Sequence, residues 1–123
     1  MPSNSYLLDT NTIIYALQRR VTLPSADYSI SVITEMELLS FPQLSNQEEK
    51  VIRKLLSHFS IISLDESIKE KAIAIRRTKR LKLPDAIIVA TAYINNATLV
   101  TSDKALHTIA EINVLELDNL LSL

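Results

Sequence analysis

The chain has 123 residues, enough for one domain with a sizeable core, and its 47% hydrophobic and 22% charged residues are ordinary for a globular protein. The absence of cysteine excludes a disulfide framework, a thiolate metal site and a cysteine nucleophile. The absence of glycine argues against the phosphate-cradling loops of nucleotide-binding classes, which need close backbone approach.

Turns must then fall to Asn, Asp, Ser and Pro, as expected at Asn95-Asn96 and Asp118-Asn119. No apolar run approaches the ~20 residues of a membrane span. The N-terminus lacks a basic-then-apolar secretory pattern, so a cytoplasmic location is the default expectation. The formal charge is −1, but it is uneven: from Glu66 to Lys82 seven basic residues face two acidic ones. Such a basic segment on an acidic body is either a solvated helix face or the footprint of a polyanion.

In chain order, Tyr6–Leu8 predicts a buried strand, and Thr12–Gln18 most of a first helix. After a connection from Val21 to Tyr28, Ser29–Val32 predicts a second strand and Thr34–Leu39 a helix stopped by Pro42. Ser45 opens a further helix, with Gln47-Glu48-Glu49 placing negative charge in its first turn. Ile61–Leu64 is expected as a strand, and Asp65 as the cap of a helix from Glu66 to about Lys79. Pro84 suits a first turn, and Asp85–Ile94 continues that helix. A strand at Ala97–Val100, a short helix at Lys104–Ala110 and a last strand at Val114-Leu115 complete the pattern. Alternating strands and helices imply βαβ units, a mostly parallel central sheet and helices on both faces, all in one domain spanning 1–123.

Four acids stand apart from surface charge. Asp9 ends the first strand; capping is the bland reading, but Thr10, Asn11 and Thr12 can also cap. Asp85 shares a helix face with Ile88, Val89 and Ala92. Glu37 has Ile33 and Phe41 one turn away, while Glu35 has Leu38 and Leu39; periodicity leaves the two open. Asp103 follows the Leu99-Val100-Thr101-Ser102 strand end. Acids at strand ends and in a first turn can converge on one rim of a parallel sheet. Each close pair would repel by about 1 kcal/mol in water and about 4 kcal/mol near a protein surface, so the cluster calls for shared protons or a cation. Oxygen donors without His or Cys suit a hard ion, Mg²⁺ or Mn²⁺.

In order, these segments resemble the motifs of the PIN domain family and, within it, the VapC-like ribonuclease toxins of toxin–antitoxin modules. Leu8-Asp9-Thr10-Asn11 resembles the first motif, and the run from Ile30 to Leu38 the second, in which the acid before the leucine is functional. That selects Glu37. The run from Leu83 to Ala92 resembles the third motif, and Leu99-Val100-Thr101-Ser102-Asp103 the fourth. The fourth departs from the family pattern at Ser102, where asparagine is common, and at Ala105, where a second acid often stands.

The resemblance implies a three-layer α/β/α PIN-like fold and a metal-dependent endoribonuclease. Asp9, Glu37, Asp85 and Asp103 would be catalytic, with Asp9, Asp85 and Asp103 as ligands of Mg²⁺ or Mn²⁺, and Asn11 and Thr101 as supporting groups. Arg76, Arg77, Lys79, Arg80 and Lys82, leading into the Asp85 helix, would contact RNA. A cognate antitoxin and homodimerisation are further family expectations. His58 and His107 are expected to be structural or surface residues. A dehalogenase-like phosphatase is disfavoured because its proton donor, two residues after the first acid, would be Asn11. A receiver-like domain is disfavoured because its paired acids after the first strand are missing here. A catalytically silent PIN-like module that binds RNA or protein is the alternative.

Overall fold

The computed structural model describes residues 5–123. Five strands, β1 (Ser5–Leu8), β2 (Asp27–Ser31), β3 (Ser60–Ile62), β4 (Thr98–Val100) and β5 (Val114–Leu115), form one sheet in the order β3-β2-β1-β4-β5. Every pairing is parallel: Leu7 lies opposite Ser29 and Leu99, Ile30 opposite Ile61, and Val100 opposite Leu115. The helices are α1 (Thr10–Arg19), α2 (Val32–Leu39), α3 (Asn46–Leu56), α4 (Glu66–Thr78), α5 (Leu83–Ile94) and α6 (Leu117–Leu121).

The period of two along a strand divides the core between the sheet's faces. Leu7 and Leu99 point to one face, where they meet Ile68, Ala72 and Ile75 of α4 and the run Ala86–Ala90 of α5. Tyr6, Leu8, Ile30 and Val100 point to the other, packing with Ile13 of α1, Leu38 of α2, Ile52 and Leu56 of α3, and Leu117 and Leu120 of α6. The result is the expected three-layer α/β/α arrangement. Among the described residues, no helix is long and apolar enough to cross a membrane.

Several boundaries differ from expectation for local reasons. Strand β2 begins at Asp27, and Val32 belongs to α2 because the Ser31 side chain accepts from the Ile33 N–H at 3.1 Å and caps the helix. The helix expected at Lys104–Ala110 is only a 3₁₀ turn at Leu106–Thr108. Asp103 takes the N–H groups of Ala105 and Leu106, and Ile109 turns into the core. Asp118-Asn119, expected as a turn, lies inside α6, where Leu117 and Leu120 at helical spacing are buried. Asn96 does make its turn, with φ 51°. The absence of glycine also puts Arg20 (φ 53°), the C-cap of α1, and Gln43 (φ 64°) in the left-handed region. His58 is exposed just beyond α3.

The strand order matters for function. The chain builds β1, β2 and β3 outward in one direction, then crosses to β4 and β5 on the other side of β1. The carboxyl ends of β1 and β4 therefore flank a topological switch point, where ligands of open α/β sheets bind.

Candidate active site

Asp9 stands at that switch point, at the end of β1, with its backbone N–H donating to the Val100 carbonyl at 3.2 Å. It is the N-cap of α1: its Oδ1 accepts from the Thr12 N–H at 2.9 Å. The presence of alternative caps beside it did not release it from that duty. Its other oxygen, Oδ2, accepts a short hydrogen bond from the Thr101 hydroxyl. Thr12 is turned away from capping, donating its hydroxyl to the Val100 carbonyl at 3.0 Å. Asp9 is 7% exposed, so both of its oxygens are bound in a nearly dry setting.

Thr101 is the hub. Fully buried, it donates to Asp9 and accepts from the Asp103 N–H at 3.0 Å, tying the acid after β1 to the acid after β4. Its own N–H donates to the Leu115 carbonyl of β5 at 3.0 Å. Its carbonyl accepts from His107 Nε2 at 2.8 Å. His107 is therefore exposed yet bound to the site's support, a link that sequence distance concealed.

The other two acids arrive on helices. Glu37, on α2, accepts from the Thr10 hydroxyl at 2.6 Å, and Thr10 lies 3.1 Å from the hydroxyl of buried Thr34. Thr34 and Glu37, three apart, share a helix face, while Leu38 is the residue that enters the core. The expectation of Glu37 among apolar neighbours is thus half right: its side chain is exposed at the rim. Asp85 sits in the first turn of α5 after Pro84, with Ile88, Val89 and Ala92 buried beneath it. No hydrogen bond reaches its carboxylate among the described residues. Its pKa is raised, first by burial, then by the charges of Asp103, Glu37 and Asp9, with Lys82 opposing.

Asp9, Glu37, Asp85 and Asp103 together line one polar pocket of about 190 Å³, which Asn11 and Phe41 also line. All four expected acids are therefore brought together. Among the described residues, however, no three acidic or histidine side chains are arranged to hold a metal ion as they stand. The donor chemistry still fits a hard cation: the acids are all oxygen donors, and Asp85 carries the excess negative potential that such an ion would relieve.

The basic residues divide. Lys82 is close enough to act on Asp85. Arg76, Arg77, Lys79 and Arg80 instead line a separate hollow of about 490 Å³, and none of them lines the acidic pocket. Lys79 lies 3.8 Å from Glu111, and Arg76 Nε donates to the Leu81 carbonyl at 3.2 Å. Thr10, Thr34, His107 and Phe41 are additions that the motifs did not single out as site residues. Thr10 and Thr34 lie within the motif runs and Phe41 stands one turn from Glu37, whereas His107 carried no such signal.

With this geometry in place, the PIN domain model matches residues 6–112. The chain belongs to the PIN domain family. A chain of a toxin–antitoxin complex from Klebsiella pneumoniae is 32% identical, with 89% of this chain and 95% of that one covered at a TM-score of 0.74. A chain of VapBC-1 from nontypeable Haemophilus influenzae is 25% identical, with 91% and 97% covered at a TM-score of 0.78. PAE2754 from Pyrobaculum aerophilum, 20% identical, shares the fold over 98% of this chain and 96% of its own at a TM-score of 0.70. No curated protein sequence matched the chain.

Proposed function

We propose that this protein is a Mg²⁺- or Mn²⁺-dependent endoribonuclease, the toxin of a toxin–antitoxin pair acting in the cytoplasm. The observation that carries the reading is the meeting of four acids at the sheet's switch point, with Asp85 pushed up by burial and by the other three. Asp9, Asp85 and Asp103 would hold the ion, directly or through water. Mg²⁺ commonly takes one or two carboxylates and keeps several waters, so a trio of closed ligands is not required. When bound, it supplies an activated water and offsets charge on the phosphoryl oxygens.

The chain's own residues do the rest. Thr101 and the Thr12 N–H hold Asp9 in one orientation. Glu37, held by Thr10, stands at the rim where it can take a proton from the attacking water. The water oxygen bonds to phosphorus, the bond to the departing ribose oxygen breaks, and that oxygen is protonated from solvent. Asn11 presents an amide on the pocket wall to orient phosphate or water. Lys82 offsets backbone charge nearest the site, with Arg76, Arg77 and Arg80 farther along the RNA; Lys79, near Glu111, contributes less.

An antitoxin would be the protein partner. Two apolar hollows of about 320 and 300 Å³ adjoin between α1 and α3, sharing Leu17 and Val51. A groove of this kind suits an amphipathic helix. Ile14 and Phe41 belong both to the groove and to the acidic pocket, so an occupant could reach and block the site. Homodimerisation is the expected assembly.

A silent RNA- or protein-binding module is the second reading. It is favoured by the open spacing of the acids and by Ala105, which offers only a backbone N–H to Asp103. One assay decides. Purified protein is incubated with structured RNAs in Mg²⁺, in Mn²⁺ and in chelator, beside Asp9→Asn and Asp85→Asn. Cleavage by wild type that both chelator and the variants abolish is the expected result. No cleavage by wild type, or equal cleavage by the variants, sinks the nuclease reading.

A further inference from the structure

Five of the six aromatic rings are already engaged. Tyr6 stacks on Tyr28 at 5.8 Å, and Tyr28 meets Phe59 at 6.2 Å. The Arg19 guanidinium lies 4.5 Å over Tyr15, and the Lys71 ammonium 3.9 Å over Tyr93. Phe41 has neither a ring nor a cation against it among the described residues. It is 44% exposed and forms the edge of the acidic pocket beside Glu37. Its backbone is restrained on both sides: Ser40 N–H donates to the Glu37 carbonyl at 3.4 Å, and Pro42 and left-handed Gln43 follow.

The pocket itself is small. Its volume of about 190 Å³ is below the roughly 300–1,000 Å³ of small-molecule sites, so it suits a phosphate with its ions while the bases lie outside on the rim. A partly exposed ring at that rim offers them the apolar, polarisable surface on which nucleobases stack. We propose that Phe41 is the platform on which a base next to the scissile phosphate stacks, which makes the substrate RNA that is unpaired at the cleavage point. The inference rests on the ribonuclease reading above. Stacking on an aromatic face is tolerant of sequence, but it requires the base to leave its own helix.

The test is a substitution series on a short single-stranded RNA. Phe41→Ala should lower kcat/KM by about 5- to 150-fold, chiefly through KM, the range that corresponds to loss of one stacked base. Phe41→Tyr and Phe41→Trp should retain activity. Phe41→Leu, apolar but without a π face, should not. The chain has no tryptophan, so the fluorescence of F41W reports this site alone. An oligonucleotide made non-hydrolysable by a methylene in place of the departing ribose oxygen should quench it, and the same oligonucleotide made abasic beside the target phosphate should not. Wild-type rates in Phe41→Ala, full rescue by Phe41→Leu, or equal quenching by the abasic strand would each overturn the platform and assign the ring to a protein partner in the groove. Base-dependent quenching with no cleavage by wild type would leave the platform standing and remove the nuclease reading instead.

Discussion

Asp9 and Asp85 face the same pocket, yet their surroundings are opposite. Asp9 is buried at a strand end with each oxygen taken by a donor, the Thr12 N–H and the Thr101 hydroxyl. Asp85 is half-buried in a helix's first turn, with no donor among the described residues and with its pKa raised by burial and by the neighbouring acids. Carboxylates with full hydrogen bonding are held in place and stabilise the fold; one pressed by like charge costs stability until a cation arrives. One side of the pocket is therefore held by hydrogen bonds, and the other is not.

The largest expected effect does not separate them. Asp9→Asn and Asp85→Asn should each lower RNA cleavage by at least about 100-fold, measured as kcat/KM in Mn²⁺. A variant that keeps most of its activity would remove its residue from the proposed ion site.

Thr101→Val breaks the built side alone. It leaves one oxygen of Asp9 and the Asp103 N–H without their partner, at a cost of about 1–3 kcal/mol in urea unfolding. Activity should fall by about 10- to 100-fold, as for loss of a group that orients a metal ligand. If stability is unchanged, the hub is not one.

The same Asp-to-Asn exchange should then change stability in opposite directions at the two acids. In Asp9→Asn the new amide has one acceptor oxygen for the two donors, so the exchange should destabilise by about 1–3 kcal/mol. Asp85→Asn should stabilise the metal-free protein at neutral pH. Because the folded-state pKa of Asp85 is raised, its contribution to stability is fully present at low pH and is lost as pH rises through that value. The gain in Asp85→Asn should accordingly vanish at about pH 3, where the carboxyl is protonated in both states. Unfolding midpoints in chelator across this range would check the sign. The smallest change lies outside the acidic pocket: Arg20→Gly relieves a left-handed C-cap and should stabilise by about 1 kcal/mol without altering activity.

The sequence pattern made the three layers and the strand ends legible because each rests on a short local period, whereas Glu37 was separable from Glu35 only through the family resemblance. Asp85 above Ile88, Val89 and Ala92 rests on such a period, since three- and four-residue spacings alone define that face. Asp9 is legible as an acid, but the pattern sets capping against a site role that its two oxygens do not force it to choose between. One carboxylate has two oxygens, and here one accepts from the cap N–H while the other meets Thr101. The supports were the hidden part. Thr10 meets Glu37 across 27 residues of chain, and His107 reaches Thr101 from a 3₁₀ turn where a longer helix was expected. The basic run showed its charge but not its division into Lys82 beside the acids and four residues around another hollow. Such links depend on how elements pack, which a period along one element does not encode.

The proposed function requires that the four acids share a cation on which Asp85 in particular depends. Mn²⁺ titrated into the protein during urea unfolding tests it most directly, because an ion bound to the folded state raises the midpoint by mass action. A rise for wild type that grows with Mn²⁺ concentration and is absent in Asp85→Asn is the expected result. An equal rise in both proteins, or none in wild type, would contradict it.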